Sequence, residues 1–202
     1  LEIIMSPRPQ PSEPRDRYIY YPHMADVPES VAVNIRRRSY TIGAGVTIDT
    51  EDAEGVLFAH GGIAGGHSLY VKDRRLHYVY NWLGEKFQAA TSDRDVPTGK
   101  HVLTAEFQKT GDDEQTQSAT GTLTLYVDDE PVGKAEIMTQ PGFFALAGDG
   151  LSVGRDSASP VSQDYEAPFA FSGGAIDRVV VDVSGDHYVD HEKEILAYLA
   201  RD

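Results

Sequence analysis

The chain has 202 residues, a formal net charge of −14 at pH 7 and no cysteine. An acidic surface repels phosphate groups, so we expect neither nucleic acids nor anionic membrane surfaces as partners. The lack of cysteine excludes disulfides, zinc–thiolate sites and cysteine nucleophiles. No apolar run reaches the ~18 residues of a membrane-spanning helix, which predicts no membrane insertion.

Residues 1–17 form the first distinct segment, with prolines at positions 7, 9, 11 and 14 among charged residues. Proline at this density disfavours helix and sheet, so we predict an extended linker or the remnant of a cut end. The aromatic stretch 17–22 is expected to pack as an edge strand or against a neighbouring domain. The folded domain is therefore predicted to span residues 18–202.

The body of the chain alternates apolar and polar residues in short runs separated by turn residues, which is typical of β-strands. The glycine-rich stretch 61–66 and the polar stretch 111–120 are predicted to be loops, the second of them mobile. A helix is predicted at 190–201, with an apolar stripe of Ile195, Leu196 and Leu199 behind Asp190 as N-cap. Roughly ten short strands and one terminal helix indicate an all-β fold, an antiparallel β-sandwich or jelly roll.

The stretch 68–82 is the clearest hairpin. Two alternating runs flank Asp73 and Arg74, which predicts a two-residue turn. This register pairs Leu69 with Tyr78 and Val71 with Leu76 on one face, and Tyr70 with His77 on the other. Both turn residues need a positive φ, which Asn-Gly adopts more readily than Asp-Arg. A longer loop with a shifted register therefore stays open.

Several strings follow one another in an order that resembles a known region. They are R-D-R-Y-I-Y-Y-P, A-V-N-I-R-R-R-S-Y-T-I, E-G-V-L-F-A-H-G-G, G-H-S-L-Y-V-K-D-R-R-L-H-Y-V-Y-N-W-L-G, L-Y-V-D-D-E-P-V-G and V-G-R-D-S-A-S-P-V-S-Q-D-Y. From about Arg15 to the end, the chain is similar to the C-terminal region of bacterial, notably actinobacterial, arylsulfatases. The resemblance implies a concanavalin-A/laminin-G-like sandwich that packs on a catalytic sulfatase domain of the same polypeptide, absent from this chain.

The same resemblance implies that this chain alone is not catalytic. Sulfatases use a formylglycine, made from the first residue of a C/S-x-P-x-R motif, together with a divalent cation such as calcium. The nearest match here runs from Ser12 to Arg17, where the arginine comes one position late. We therefore expect no cofactor in this chain, whereas the parent enzyme would use both groups. The cellular compartment stays open between bacterial cytoplasm and envelope.

Two alternatives remain from the residues themselves. A lectin-like carbohydrate-binding module that brings a sulfated glycan or a similar ligand to the enzyme is the first, although fold analogy does not by itself support sugar binding. An independent glycoside hydrolase is the weakest alternative. Sandwich glycosidases of one type carry their two catalytic carboxylates in a motif that begins Glu-x-Asp, but here Thr47 takes the place of the glutamate, two positions before Asp49. We therefore interpret residues 49–54, with their carboxylates, as a solvated turn.

The candidate binding residues cluster around the hairpin. Tyr78, Tyr80 and Trp82 share one strand face, where they fit either a core or a sugar-stacking surface. His60 and His67 flank the glycine-rich stretch. We predict a contact with a ligand or a neighbouring domain at Trp82, Tyr80, His60 and His67. We predict no metal site, because no spacing resembles a defined calcium loop or a three-ligand zinc centre.

Overall fold

The computed structural model describes residues 15–142, 144, 149–157 and 159–185. Most of the predicted linker and the predicted helix at 190–201 lie outside the described residues. The described part contains eleven strands. They are β1 Arg17–Tyr20, β2 Tyr40–Ile48, β3 Gly55–Gly62, β4 Gly65–Lys72, β5 Arg75–Trp82, β6 Lys86–Thr91, β7 Gly99–Asp113, β8 Ser118–Val127, β9 Glu130–Thr139, β10 Leu151–Val153 and β11 Gly174–Asp182. Within these described ranges no helix is long and apolar enough to cross a membrane.

The strands form two antiparallel sheets. The larger sheet has the order β1-β11-β2-β7-β8-β9, and the smaller sheet has the order β10-β3-β4-β5-β6. The predicted all-β sandwich is therefore confirmed, and its core lies between the two sheets. Inward-facing residues alternate along each strand and include Ile42, Ala44, Leu103, Phe107 and Leu125, all fully buried.

The 68–82 hairpin has the predicted two-residue turn and register. Leu69 pairs with Tyr78, Val71 with Leu76 and Tyr70 with His77. Asp73 and Arg74 have φ values of 49° and 66°, so both occupy the left-handed region that this turn requires. The chain therefore accepts an unfavourable conformation at Arg74 to keep the register that buries Leu69 and Tyr78.

The two predicted loops are wrong. β3 and β4 run through the glycines and leave a turn of only Ile63 and Ala64 between them. β7 and β8 likewise extend through most of the polar stretch 111–120. There, Asp113 Oδ1 accepts hydrogen bonds from the Gln115 and Thr116 amides and from the Thr116 hydroxyl, which closes a tight turn without any apolar residue.

The outer face of the smaller sheet is covered by the segment between β10 and β11. A second apolar cluster lies beneath it, formed by Val56, Ala59, Tyr70, Val79, Val161 and Tyr165. The buried carboxylate of Asp156 accepts hydrogen bonds from the Tyr165 hydroxyl and the Val161 amide at 2.7 and 2.8 Å. These bonds fix the segment, which therefore buries the outer face of the smaller sheet around Tyr70 and Val79.

Candidate functional site

His60 and His67 stand directly opposite each other on β3 and β4 and point between the sheets. Their ring centroids are 5.7 Å apart, and the two residues are 1% and 0% exposed. Alternation along β3 and β4 sets both rings on the face that carries Phe58 and Leu69. The structure thus brings together the two histidines that the sequence singled out, but in the interior rather than on a surface.

His60 connects this interior to the segment before β2. Its Nε2 lies 2.8 Å from Glu29 Oε2, and the Phe144 amide donates to Glu29 Oε1 at 3.3 Å. Burial raises the pKa of Glu29, but the hydrogen bond and charge of His60, the Phe144 amide and Arg36 outweigh it and hold the pKa below its usual value. Glu29 is therefore ionised at neutral pH. No local sequence pattern identifies Glu29 as this partner, because it lies 31 positions from His60.

His67 belongs to a hydrogen-bonded row that crosses the core. Its Nδ1 lies 3.2 Å from the Tyr78 hydroxyl, which lies 2.6 Å from the Tyr40 hydroxyl on the larger sheet. Desolvation, with the charge of His60 as the smaller cause, lowers the pKa of His67 well below its usual value. Burial likewise raises the pKa values of Tyr40 and Tyr78. All three groups are neutral at pH 7, so this row serves packing and sheet alignment.

Tyr80 and Trp82 close the end of the sandwich. The buried Tyr80 hydroxyl accepts a hydrogen bond from the Gln140 amide at 2.8 Å. Trp82 is half-buried against the core, and its Nε1 donates to Ser118 Oγ on β8 at 3.0 Å. The indole therefore bridges the two sheets. The ligand or domain contact predicted for Trp82, Tyr80, His60 and His67 stays a prediction, and a ligand could reach only Trp82 without displacing protein.

The glycines beside these histidines serve close packing. A Cβ on Gly62 would lie 2.2 Å from Asp149 Oδ2, and one on Gly61 would lie 2.2 Å from the Gly65 carbonyl oxygen. Protein atoms therefore fill the space that the glycines leave. Beyond them, Ile63 and Leu83 project from adjacent turns and are 62% and 44% exposed.

The Ile63 and Leu83 turns are held together by the buried Asn81. Its Nδ2 donates to the carbonyl oxygens of Gly62 and Ile63 at 3.0 and 3.1 Å. Its Oδ1 accepts from the Gly84 amide at 2.8 Å. The two exposed apolar side chains are therefore presented on a rigid backbone.

The outer face of the larger sheet carries a different set of groups. Tyr20 pairs with Val179, so the next residues, Tyr21 and Arg178, emerge side by side on this face. Arg178 Cζ lies 5.5 Å from the centroid of the exposed Tyr21 ring. Sequence reasoning did not identify this pair. Tyr21 belonged to the stretch expected to pack, and no local pattern reveals the pairing of β1 with β11, which are more than 150 residues apart in the chain.

Polar groups continue across this face. Gly45 pairs with Arg178 and Gly43 with Val180, so no side chain of β2 stands at these two positions. Further along the sheet, Tyr126 hydrogen-bonds to Glu106, and burial together with the Glu106 charge raises the pKa of Tyr126. The face therefore combines aromatic rings, a guanidinium and a carboxylate.

No group of three or more His, Asp or Glu side chains that could hold a metal occurs among the residues described. In the 49–54 turn, the Glu51 carboxylate lies 2.7 Å from Arg74 Nη1 on an exposed surface. This contact agrees with the interpretation of the turn as a solvated one.

Comparisons of sequence find no relative: neither a known family profile nor a curated protein matches the chain. Solved structures do resemble it. NanB in complex with Optactamide is 15% identical with a TM-score of 0.54, over 90% of this chain and 27% of that one. Mouse laminin α1 domains LG4-5 are 11% identical with a TM-score of 0.52, over 85% of this chain and 40% of that one.

A third structure is the CBM40 of the Ruminococcus gnavus IT-sialidase bound to α2,3-sialyllactose, 16% identical with a TM-score of 0.49 over 80% of this chain and 82% of that one. At such identities the likeness shows the fold alone. The fold is a laminin-G-like β-sandwich, as the sequence predicted. Nothing in the comparisons links the chain to arylsulfatases, so that part of the expected resemblance has no support from them.

Proposed function

We propose that this chain is a lectin-like carbohydrate-binding module that binds a sugar on the outer face of the larger sheet. The observation that carries the proposal is the ring of Tyr21, which is 46% exposed with the Arg178 guanidinium over it. A cation over one face of a tyrosine restrains the ring and leaves the opposite face of the ring for stacking. A restrained aromatic platform is what a sugar ring with its apolar C–H face packs against.

The polar groups of the same face support the proposal. Sugar hydroxyls donate and accept hydrogen bonds, so a sugar site needs both kinds of partner. Arg178 supplies donors beside the Tyr21 ring, and the Glu106 carboxylate, 7% exposed and hydrogen-bonded to Tyr126, lies further along the same face. The sheet backbone that carries them is rigid, which favours binding with little loss of entropy.

Glycan-array screening of the purified chain tests the proposal, followed by calorimetric titration of each sugar that binds. We expect Tyr21→Ala to weaken binding at least about tenfold, which corresponds to about 1.4 kcal/mol. Val31→Ala is the matched control, because Val31 is also 46% exposed but offers no ring. Failure of every glycan to bind, or equal affinity of Tyr21→Ala and the unchanged chain, contradicts the proposal.

A second candidate function is the accessory domain that the sequence predicts, packed on a catalytic domain of an arylsulfatase-like hydrolase. The exposed neighbours Ile63 and Leu83 favour the accessory role, since exposed apolar side chains on a rigid backbone suit contact with a protein better than contact with a sugar. Hydrogen exchange of the 61–66 and 81–86 peptides, compared between this chain and a longer polypeptide that contains it, tests this role. Protection of both turns only in the longer polypeptide supports it, and equal exchange contradicts it.

A further inference from the structure

Glu29, His60 and His67 form a linked group that we call the histidine latch. It joins the segment before β2 to the interior of the sandwich through the contact of 2.8 Å between His60 and Glu29. We propose that the histidine latch is a pH-sensitive device: proton uptake by His67 releases Glu29 and Phe144 and locally opens this edge of the sandwich. This inference is independent of sugar binding at Tyr21, which lies on the outer face.

The closed state depends on a small number of contacts. Glu29 accepts from His60 with one carboxylate oxygen and from the Phe144 amide with the other. The Phe144 ring packs edge-on to His60, with centroids 4.8 Å apart, and lies 5.3 Å from His67. Loss of the Glu29 contacts therefore loosens both the 29–33 segment and Phe144 at once.

The interior around the pair cannot accommodate two positive charges. Among the described residues, the ionisable groups that face it are Tyr40 from β2, Tyr78 and Tyr80 from β5, and Glu29 with Arg36 from the segment before β2. Glu29 is the one carboxylate in this set. A single carboxylate balances one imidazolium, so protonating both rings leaves an uncompensated buried charge.

Unsatisfied hydrogen-bond donors add to the cost of charging both rings. His60 Nδ1 and His67 Nε2 are buried and have no hydrogen-bond partner in the described part of the chain. A fully protonated imidazole carries an N–H at each nitrogen, so each ring would gain or keep a buried donor without an acceptor. Water must therefore enter for both rings to be charged, and the edge held by Glu29 offers a route, because the Glu29 side chain is 10% exposed whereas that of His60 is 2% exposed.

Other contacts limit the opening to this edge. Val27 exchanges two backbone hydrogen bonds of 2.8 Å with Leu151. Asp26 Oδ1 lies 2.7 Å from Arg155 Nη2. Neither contact involves a histidine, so the start of the segment stays attached while residues 29–36 respond.

Hydrogen–deuterium exchange of residues 29–36 tests the proposal at pH 7.5, 6 and 5, after correction for the intrinsic exchange rate. We expect the open population to rise by up to about tenfold per pH unit and per proton taken up, below about pH 6.5. The β7–β8 strands serve as the internal reference. His67→Phe, which retains a ring but no titrating nitrogen, should reduce this response, whereas His77→Gln on the opposite face of the hairpin should leave it unchanged.

Two results overturn the proposal. One is exchange of residues 29–36 that does not vary with pH, and the other is a His67→Phe protein that keeps the full response. If His67→Phe does not fold, Glu29→Gln decides instead. Faster exchange at pH 7.5 than in the unchanged chain supports the latch, because the charged acceptor of His60 is gone, and exchange identical to the unchanged chain at every pH refutes it.

Discussion

The hydroxyl oxygens of Tyr40 and Tyr78 lie 2.6 Å apart in the middle of the core, one on each sheet. Both side chains are buried, so each hydroxyl depends on protein partners alone. Tyr78 also contacts His67 Nδ1, whereas Tyr40 contacts Tyr78 only among the described hydrogen bonds. The two hydroxyls are therefore not equivalent.

Removing these hydroxyls should reveal the difference. Tyr40→Phe leaves Tyr78 with His67, so we expect a loss of about 1 kcal/mol in the free energy of unfolding. Tyr78→Phe leaves both the Tyr40 hydroxyl and His67 Nδ1 without a partner, so we expect about 2–3 kcal/mol. Urea denaturation measures both values, and a double-mutant cycle measures their coupling. A Tyr40→Phe cost that equals or exceeds that of Tyr78→Phe would contradict this assignment.

The hairpin turn offers a stabilising change. Asp73→Asn combined with Arg74→Gly places the preferred residues at φ values of 49° and 66°, and should stabilise the fold by about 0.5–1 kcal/mol. The exposed ion pairs of Arg74 with Glu51 and Asp95 are lost, but such pairs contribute little. Asp73→Asn with Arg74→Ala is the matched control, since it loses the same pairs and keeps a Cβ at the strained position. Thermal unfolding should rank the glycine form above the alanine form, and the reverse order would refute the strain argument.

Asp156 predicts a pH dependence. Burial raises its pKa, against the hydrogen bonds from Tyr165 and Val161. A carboxyl whose folded pKa lies above its unfolded value of about 3.9 stabilises the fold at low pH and loses that contribution as pH rises through the folded pKa. Asp156→Asn can accept the same two bonds without a charge. Its stability relative to the unchanged chain should therefore increase from pH 4 to pH 7.

Asp156→Ala is the contrasting variant. It leaves the Tyr165 hydroxyl and the Val161 amide without their acceptor in a buried site. We expect a cost of about 2–3 kcal/mol and faster proteolysis of the segment between β10 and β11. Equal stability of the alanine and asparagine variants at pH 4 would show that these two hydrogen bonds do not hold the segment.

The glycines of β3 and β4 provide a packing test. A Cβ on Gly61 meets the Gly65 carbonyl oxygen at 2.2 Å, and the φ of Gly61 is 93°. Gly61→Ala should therefore cost more than about 2 kcal/mol. Gly142→Ala is the control, because a Cβ there meets nothing within 4 Å. Chemical denaturation of the two variants checks the difference, and similar losses would mean that the glycines are not needed for close approach.

The local alternation of apolar and polar residues was sufficient to predict the β-sandwich and the 68–82 hairpin. Alternation has a period of two, so the burial of Leu69 and Tyr78 together implied both the register and the face. The same alternation could not distinguish the core from a ligand surface for Tyr80 and Trp82, since both environments accept aromatic rings. The glycine-rich stretch 61–66 was wrongly predicted to be a loop for a related reason, because glycines occur in closely packed strands as well as in loops.

What the sequence determined by itself was the all-β class, the positions of most strands along the chain and the hairpin that buries Tyr78, because these follow from interactions between near neighbours. Only the tertiary structure decided which distant groups meet: Glu29 with His60, Tyr40 with Tyr78, and Tyr21 with Arg178. The physical reason is that sheet order depends on packing between strands far apart in the chain, and one sequence pattern fits several orders. The candidate binding face and the histidine latch are both products of that order.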